Sequence, residues 1–549
     1  MEKSKDKTNS ELRSIRDTVE SVGIAVILAF VLRAFIVEAF VIPTGSMAPR
    51  LLGEHWSLTC PSCGYEFAYG VPGAARSDPR FDRKRRQTPA GALCPNCGYK
   101  YPAAMLPDYP RGGDRVLVMK YLYRFSEPKC WDVAVFRNPQ NNRENYIKRV
   151  VGVPGETIEV VHGDIFVRTD GIHWKIRSKP ASAQKEMWQV IYNNDYRPNL
   201  ETHRKLDKTG IQPPSWVARG NGWDLAAQDG RQYRFAGGSE SEIKFAGQRD
   251  LFLPHYGYNL PTEEARHIDD RMDICSDLKL SLVFLPGGPQ GGVSLSLSSF
   301  KHRFRAELSV DGTVRLLHDP PDGVEGNWQQ WSQTQLEPLE RHKAYSVALS
   351  HADFQVVCWV DGKAVLTSSV DDYQADYDWL KARLAQVDSE PIPTPEVAIS
   401  AWGGQCELRH VSLSRDAFYT CPYVQRIEPG PLWDFARRLR REGQTFNRGW
   451  GTRGNPITLR KFDGHPELDQ FFVLGDNSPQ SLDGRGWTKA SPTLRLYDDS
   501  GNRQYQLGTV PRYNMIGKAF FVYWPAGFSV PGLPGLPIIP NVGRMRLIR

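Results

Sequence analysis

The sequence has no strong excess of either charge. It contains 69 Lys and Arg against 62 Asp and Glu, a formal net charge of +7, and these residues are spread along the chain. This distribution argues against a protein dedicated to nucleic-acid binding, because such proteins carry a basic patch or tail. The 48 Gly and 40 Pro indicate many turns and disfavour a large helical bundle. With 549 residues, the chain is expected to contain several domains and to be mainly β.

Long apolar runs are also scarce, and one of them is long enough to cross a bilayer. It extends from Val22 to Ile42, is interrupted only by Arg33 and Glu38, and would span ~31 Å as a helix. A cleaved signal peptide and a buried core helix are the alternatives, but the run is too long for a signal peptide and lacks a small-x-small cleavage site. Five basic residues against four acidic ones in the preceding tail give a weak positive-inside signal. We therefore predict a cytoplasmic tail over residues 1–17 and a transmembrane helix over residues 18–42, with the rest outside the cytoplasm.

Two regions of the chain have β-strand patterns. Short apolar runs between residues 112 and 168 predict a strand-rich core. From about Trp216 to Thr420, successive segments alternate apolar and polar residues, as half-buried strands do. Asp311-Gly312 and Asp361-Gly362 each separate two such segments and predict tight hairpins. This region resembles a concanavalin-like jelly roll, especially in "YSVALSHADFQVVCWVDGKAVL" and "VAISAWGGQCELRHVSLSRDAFYT".

Four of the nine cysteines form two matching motifs separated by thirty residues. The motifs are Cys60-Pro-Ser-Cys63-Gly and Cys94-Pro-Asn-Cys97-Gly. Each can form a tight turn that presents two thiolates, and two such turns complete a tetrahedral Zn²⁺ site. This resembles a zinc ribbon with an enlarged loop, and zinc here would be structural because four thiolates leave no open position. Two disulfides are the alternative, which a location outside the cytoplasm permits.

A reactive serine needs a base, and no histidine in this sequence lies in a motif beside one. A lysine can serve as the base if burial keeps its amine neutral. Lys148 in "NYIKRVVGVPGE" lies within an apolar strand pattern, where a charge is unusual. Ser46 in "FVIPTGSMAPRL" lies four residues after the end of the apolar run. Either residue alone would be an ordinary turn hydroxyl or a snorkelling lysine, so the inference depends on their combination.

Four blocks of the sequence resemble, in order, those of bacterial signal peptidase I, a membrane-bound peptidase with a Ser-Lys dyad. They are "PTGSMAPRL", "GGDRVLVMK", "YIKRVVGVPGE" and "GDNSPQSLDGRGWT", the last followed by "IGKAFFVYWP". The resemblance covers only a minor part of the chain. The ribbon and the jelly roll are then insertions about which the family says little.

The resemblance implies roles for individual residues. Ser46 would be the nucleophile and Lys148 the general base. Thr44 stands where the family has a serine that stabilises the oxyanion beside the Ser46 N–H, and Ser481 matches the serine that hydrogen-bonds the lysine amine. Structural residues at the site would be Gly475, Asp476, Asn477, Asp483 and Arg485, of which the last two match an ion pair.

Three positions depart from the family pattern. Arg50 replaces Thr in the nucleophile block, Ser478 stands where Arg is frequent, and Gly484 stands where the family has Ser. None of these changes removes an atom of the dyad. They concern only the fine positioning of the site, and nothing in the sequence explains Arg50.

The expected architecture is mainly β, with a catalytic core interrupted twice. After the tail and the transmembrane helix, the predicted units are a first core segment (43–57), the zinc-ribbon insert (58–103), a second core segment (104–211), the jelly-roll insert (212–425), a connector (426–465) and a third core segment (466–549). The catalysis needs no cofactor, whereas a structural zinc is expected in the ribbon.

The implied function is removal of signal peptides from exported preproteins after small residues at −1 and −3. The enzyme would be a single-pass protein of the bacterial inner membrane with its catalytic domain outside the cytoplasm. Its partners would be the preproteins and the secretion machinery, with no nucleic acid, and the jelly-roll ligand is not predicted. One rival is a protease-derived binding protein whose jelly roll recognises glycans or envelope partners. A second, a self-cleaving SOS-type repressor, lacks its N-terminal DNA-binding unit here.

Overall fold

The structure, a computed structural model, describes residues 18–25, 36–71, 91–108, 110–201, 203, 212–254, 258, 273–321, 326–421, 449–494, 505–527 and 541–548. These residues form several antiparallel sheets and a few short helices, so the mainly β prediction is confirmed. The strands before the long insert are β1 (Val37–Val41), β2 (His55–Thr59), β3 (Glu66–Gly70), β4 (Ala92–Leu93), β5 (Lys100–Tyr101), β6 (Arg115–Met119), β7 (Val133–Asn138), β8 (Asn141–Gly152), β9 (Thr157–Val161), β10 (Asp164–Arg168), β11 (Lys175–Ile176) and β12 (Gln189–Asn193).

The long insert and the C-terminal region supply the remaining strands. Those of the insert are β13 (Ser215–Ala218), β14 (Trp223–Asp224), β15 (Gln232–Gly237), β16 (Ser241–Ala246), β17 (Leu278–Pro286), β18 (Gly292–Ser299), β19 (His302–Ser309), β20 (Thr313–Asp319), β21 (Gln329–Gln335), β22 (Tyr345–Ala352), β23 (Gln355–Val360), β24 (Lys363–Thr367), β25 (Val397–Trp402) and β26 (Gly404–Arg415). The C-terminal strands are β27 (Ile457–Thr458), β28 (Gln470–Leu474), β29 (Val510–Pro511), β30 (Met515–Trp524) and β31 (Arg546–Leu547).

The helices are short. Besides the helical residues 18–25, three short α-helices lie wholly within the described residues: α1 (Leu122–Phe125), α2 (Ala181–Met187) and α3 (Tyr377–Ala385). A further turn at Ala227–Gly230 contains two non-glycine residues with positive φ. The 3-10 turns are Gly45–Met47, Ala103–Met105, Arg249–Phe252, Pro466–Leu468, Ser478–Gln480, Gly484–Gly486, Arg512–Asn514 and Val542–Arg544.

One eight-stranded sheet, here the core sheet, combines strands from both ends of the chain. Its order is β1-β6-β30-β7-β8-β28-β29, with β31 paired to β30. Valines of β6 and β7 lie in one hydrophobic cluster with Met47 and Leu51 of the nucleophile segment. The segment that follows β1 is therefore held against this sheet by apolar packing.

The predicted transmembrane helix over residues 18–42 is wrong in its last residues. Residues 18–25 are helical, but Val37–Val41 form strand β1, which pairs with β6. Glu38 forms an ion pair with Lys120 at 3.2 Å, so its charge has a partner just after β6. Residues 26–35 lie outside the described residues. Among the residues that are described, no helix combines the length and the apolar character needed to cross a bilayer.

The long insert contains two antiparallel sheets, here the insert sheets. One has the order β14-β15-β26-β17-β22-β23-β24, with β12 paired to β26, and the other β13-β16-β25-β18-β19-β20-β21. Both contribute to one large hydrophobic cluster, as alternation of buried and exposed residues predicts. The hairpins at Asp311-Gly312 and Asp361-Gly362 are confirmed, the latter with φ values of 48° and 76°. The jelly-roll topology itself stays a prediction.

The insert sheets share contacts with the core. β12, which precedes the predicted boundary at residue 212, pairs with β26. A small sheet of order β11-β10-β9-β27 carries Val161 and Phe166 into the hydrophobic cluster of the insert sheets. A piece of the predicted connector, namely β27, also joins this small sheet. The insert therefore packs on the core through a continuous apolar contact.

Candidate active site

Ser46 and Lys148, separated by 102 residues in sequence, lie in direct contact. Ser46 occupies the 3-10 turn Gly45–Met47 shortly after β1, and Lys148 lies on β8. The Lys148 side-chain nitrogen donates to Ser46 Oγ at 2.7 Å and to the Ile147 carbonyl at 3.0 Å. Both side chains are buried, at 6% and 4% exposure. The serine hydroxyl and the lysine amine are thus within hydrogen-bond reach, which is the geometry that a nucleophile and its base require.

The environment of Lys148 favours its neutral form. The pKa of Lys148 is lowered to about 8, chiefly by burial and to a lesser extent by the Arg485 guanidinium, against the opposing influence of the Asp483 and Asp476 carboxylates. A lysine with this pKa has a sizeable neutral fraction near neutral pH, whereas an exposed lysine does not. The amine can therefore accept a proton from Ser46.

The loop after β28 holds the serine turn in place. Asn477 donates its backbone N–H to the Ser46 carbonyl at 3.0 Å and its side-chain N–H to the Gly45 carbonyl at 2.9 Å. Gly475 lies where a Cβ would come within 2.5 Å of the Ser46 carbonyl oxygen and 2.2 Å of Ser481 Oγ. The close approach of the two segments therefore requires glycine at this position.

Two buried ion pairs support the same loop. Asp483 and Arg485 pair at 2.6 Å with no exposure of either side chain, and Asp483 also accepts from the Gly475 N–H. Asp476 forms a bidentate pair with Arg149, the neighbour of Lys148, at 2.7 and 2.8 Å. The Arg149 pair was not predicted, although an arginine in a buried strand indicates that an acidic partner is needed. The Arg149 pair connects the loop to β8, and the Asp483–Arg485 pair stabilises the loop internally.

Two predicted supporting hydroxyls differ in their placement. Thr44 Oγ1 lies 3.4 Å from Ser46 Oγ. Ser481 Oγ is buried and makes no hydrogen bond to Lys148 among the described residues. Ser478, one of the departures, accepts a hydrogen bond from Arg485 and so belongs to the buried ion-pair network.

Arg50 contacts helix α2 rather than the dyad. Its guanidinium donates to the Glu186 carbonyl and, at 2.9 Å, to the Lys185 carbonyl, and it lies 3.5 Å from the Glu186 carboxylate. These carbonyls belong to the last turn of α2, where orphan acceptors favour a cation. Arg50 thus connects the nucleophile segment to α2.

Tyr258, from the long insert, was not predicted to lie near the dyad. Its ring and hydroxyl come within 2.8 Å of the position that a Cβ on Gly45 would occupy. It packs in a small cluster with Ala48 and Leu52. The insert therefore contributes a side chain beside the Ser46 turn, and no local sequence signal indicates this contact.

The four predicted cysteine ligands lie together. The sulfur pairs Cys60–Cys97 and Cys63–Cys94 are each 3.6 Å apart, which is too long for a disulfide bond. Each Cys-x-x-Cys segment is the turn of a short hairpin, β2–β3 or β4–β5, and its following glycine has a positive φ.

These sulfur positions fit a tetrahedral metal site. Zn–S bonds of ~2.3 Å place neighbouring sulfurs ~3.8 Å apart, close to the spacing observed. All four sulfurs lie within 4.8 Å of one another, and the four residues are buried. The cluster can therefore hold a metal ion such as zinc.

The comparisons with known proteins relate this chain to a class of peptidases. The family "Signal peptidase, peptidase S26" matches residues 102–217 and 454–524, about a third of the chain. The matched segments contain Lys148 and the loop from Gly475 to Arg485, while Ser46 lies before the first of them. The core is therefore similar to the signal peptidases as a class.

Individual signal peptidases are also similar to this chain in sequence. Signal peptidase I of Buchnera aphidicola subsp. Baizongia pistaciae is 28% identical over 28% of this chain and 34% of the relative. Signal peptidase I of Pseudomonas aeruginosa is 31% identical over 24% of this chain and 30% of the relative. The mitochondrial ATP-independent inner membrane protease subunit 1b of Arabidopsis thaliana is 32% identical over 14% of this chain and 53% of that protein. The matched segments span less than half of both signal peptidase I relatives.

Solved structures also show some likeness to this chain. A carbohydrate-binding module, CBM66 from Bacillus subtilis, has a TM-score of 0.23 at 10% identity and covers 36% of this chain and 94% of its own. A galectin, LEC-6 from Caenorhabditis elegans, has a TM-score of 0.17 at 17% identity, with 26% of this chain and 82% of its own covered. Likeness at this level assigns no function to the insert sheets.

Proposed function

We propose that the chain is a signal peptidase that cleaves exported preproteins with Ser46 as nucleophile and Lys148 as general base. The observation that carries this proposal is the 2.7 Å contact between Lys148 Nζ and Ser46 Oγ in a buried site. The match to the S26 signal peptidase family around Lys148 and the Gly475 loop supports it.

The proposed mechanism uses groups already in contact. Lys148 accepts the Ser46 proton as Oγ attacks the scissile carbonyl, and the resulting oxyanion accepts hydrogen bonds from the Ser46 N–H and the Thr44 hydroxyl. The Lys148 ammonium then gives its proton to the departing amine, so that bond cleavage leaves an acyl-enzyme on Ser46. Lys148 next deprotonates a water molecule, which hydrolyses the ester and restores the dyad.

We further propose that the substrates carry small residues at −1 and −3 and that the protein acts at the bacterial inner membrane, on the extracytoplasmic side. The apolar run Val22–Ile42 supports a membrane location, although its last residues form β1. Secretion machinery is the proposed partner because it delivers such preproteins to the membrane surface.

The experiment is a cleavage assay on a preprotein with an Ala-x-Ala site. Ser46→Ala and Lys148→Ala are each expected to abolish cleavage, while Lys175→Ala, a change at an exposed lysine, is expected to retain it. Circular dichroism of each variant checks that the fold is unchanged. Cleavage by Lys148→Ala at the wild-type rate at neutral pH would rule out the dyad. An uncut preprotein with the wild type would favour the rival binding protein.

For the cysteine cluster, we propose a structural zinc ribbon. The matched hairpins and the sulfur spacing support it, and the chemistry of four thiolates suits Zn²⁺. The residues that would hold the ion are Cys60, Cys63, Cys94 and Cys97. Metal analysis is expected to find one zinc per wild-type chain and none in Cys60→Ser, with Cys421→Ser as the control. Zinc retained by Cys60→Ser would contradict this proposal.

A further inference from the structure

Four aspartates meet where the small sheet of the core contacts the insert sheets. Asp164 begins β10, Asp277 precedes β17, Asp353 lies in the β22–β23 turn and Asp416 follows β26. Asp164, Asp353 and Asp416 are 7%, 4% and 1% exposed, and the Asp277 side chain is 15% exposed. Buried carboxylates are unfavourable unless they are paired, so the positive groups around them determine what this cluster can do.

The cluster contains fewer positive groups than are needed to neutralise its four carboxylates. Lys179 pairs with Asp353 and, at 2.9 Å, with Asp416, and its backbone N–H also donates to Asp353. His351 Nδ1 lies 2.9 Å from Asp277 Oδ1. Even with His351 protonated, two positive charges face four carboxylates. The cluster therefore retains an excess of negative charge in a buried place.

Lys179 and His351 contact the other three aspartates but form no ion pair with Asp164. Among the described residues the Asp164 side chain forms no hydrogen bond or ion pair, and Lys179, which pairs with Asp353 and Asp416, acts on it only through its charge. Asp164 is nevertheless more than nine-tenths buried. It lines a small cavity together with Asp277, His351 and Ser299. The Asp277 and Asp353 carboxylates lie beside Asp164, and an uncompensated negative charge is unfavourable in so buried a place. An anion at Asp164 thus requires a cation in the cavity.

The positions of the carboxylates match the coordination of a hard divalent cation. One carboxylate oxygen from each of Asp164, Asp277 and Asp353 lies within 4.8 Å of the other two. Ca²⁺ holds its oxygen ligands at about 2.3–2.6 Å, so ligands on opposite sides of the ion are ~5 Å apart. We propose that Asp164, Asp277 and Asp353 bind a calcium ion in this cavity.

This ion would join two regions of the chain. Asp164 comes from the core, whereas Asp277 and Asp353 come from two connections of the insert, so a shared cation fixes the insert on the core. Lys179, next to the site, lies just before helix α2, whose last turn binds Arg50 of the nucleophile segment. The site is separate from the cysteine cluster, whose thiolates prefer softer metals.

The test measures calcium binding by the full chain after removal of calcium on a chelating resin. Calorimetric titration with CaCl₂ is expected to show one saturable ion per chain, and calcium is expected to raise the Tm by about 2–4 °C. Asp164→Asn is expected to weaken binding about tenfold or more. Without calcium, the Tm of Asp164→Asn should equal or exceed that of the wild type, because one of several repelling carboxylates is gone. Asp371→Asn, at an exposed position, is the control and should bind calcium normally.

A second measurement does not depend on any variant. Tb³⁺ bound to the wild type is expected to luminesce when nearby aromatic rings are excited, and Ca²⁺ should displace it. The absence of saturable calcium binding by the wild type would overturn the proposal, as would unchanged binding by Asp164→Asn. A wild-type Tm that does not respond to calcium would overturn the stabilising role.

Discussion

A single buried side chain, Lys148, sets the pH at which the proposed dyad works. Its folded-state pKa is lowered to about 8, below the value of an exposed lysine, chiefly by burial. Because only the neutral amine accepts the Ser46 proton, kcat/KM is expected to rise with pH up to about 8 and to level off above it. Below that pH, the rate should fall about tenfold per pH unit. A pH profile of preprotein cleavage measures this, and a profile with its midpoint above about 10, the value of an exposed lysine, would contradict the burial argument.

Gly475 offers a second residue-scale prediction. A Cβ there would meet the Ser46 carbonyl oxygen at 2.5 Å, which is backbone and cannot turn aside. Gly475→Ala should displace the serine turn from Lys148 and lower kcat by about 100-fold, with a smaller effect on the fold. Gly112→Ala, where nothing lies within 4 Å of the new carbon, is the matched control. Equal activities of the two variants would show that the loop has room to move.

Some residues of the candidate site could be predicted from the sequence and others could not. Ser46, Lys148 and the Asp483–Arg485 partners stand in short recognisable blocks, so their proximity could be expected before the structure. Ser481 stands in such a block too, yet its hydroxyl makes no hydrogen bond to Lys148 among the described residues. Tyr258 lies outside every block because its contact with Gly45 depends on how the insert folds.

At the level of elements, the alternation of apolar and polar residues predicted the strands well, because every second side chain of a strand points to the buried face. Leu278, Leu280 and Leu282 of β17 are all nearly inaccessible to solvent. The helix prediction failed at Val37–Val41 because an apolar run looks alike in a membrane helix and in a strand. The conformation of this segment depends on β6, about eighty residues later, which supplies the backbone partners.

Helix α2 explains Arg50, for which the sequence offered no reason. The carbonyls that Arg50 binds are 135 and 136 residues away, so no local pattern indicates them. Arg50→Met is expected to loosen the nucleophile segment and to lower kcat by roughly five-fold, about 1 kcal/mol, because the contact is partly exposed. Single-turnover and steady-state cleavage assays measure this change.

Two further variants serve as controls for Arg50→Met. Arg50→Lys should restore some of the activity, since an ammonium can still reach one carbonyl. Arg124→Met, on α1, should have no effect on kcat. If Arg50→Met lowers only stability and leaves kcat unchanged, Arg50 anchors α2 without positioning Ser46.

At the scale of the whole molecule, the core and the long insert fold as one packed body. The small sheet shares its apolar cluster with the insert sheets, and Lys179 of the core is 3% exposed between Asp353 and Asp416 of the insert. The Lys179–Asp353 contact joins residues 174 positions apart, which is why the sequence predicted a core and a jelly-roll insert but not how the two are joined.

Lys179 therefore gives a prediction about the stability of the assembly. Lys179→Met would leave two buried carboxylates without their cation, which costs about 3–5 kcal/mol when one partner of a buried pair is removed. In calcium-free buffer, the urea midpoint of the variant is expected to fall well below that of the wild type. Lys343→Met, which removes an exposed lysine paired with Glu340, should leave the midpoint nearly unchanged. Equal midpoints for wild type and Lys179→Met would mean that the carboxylates are held in another way, by shared protons, and that the junction does not depend on the lysine charge.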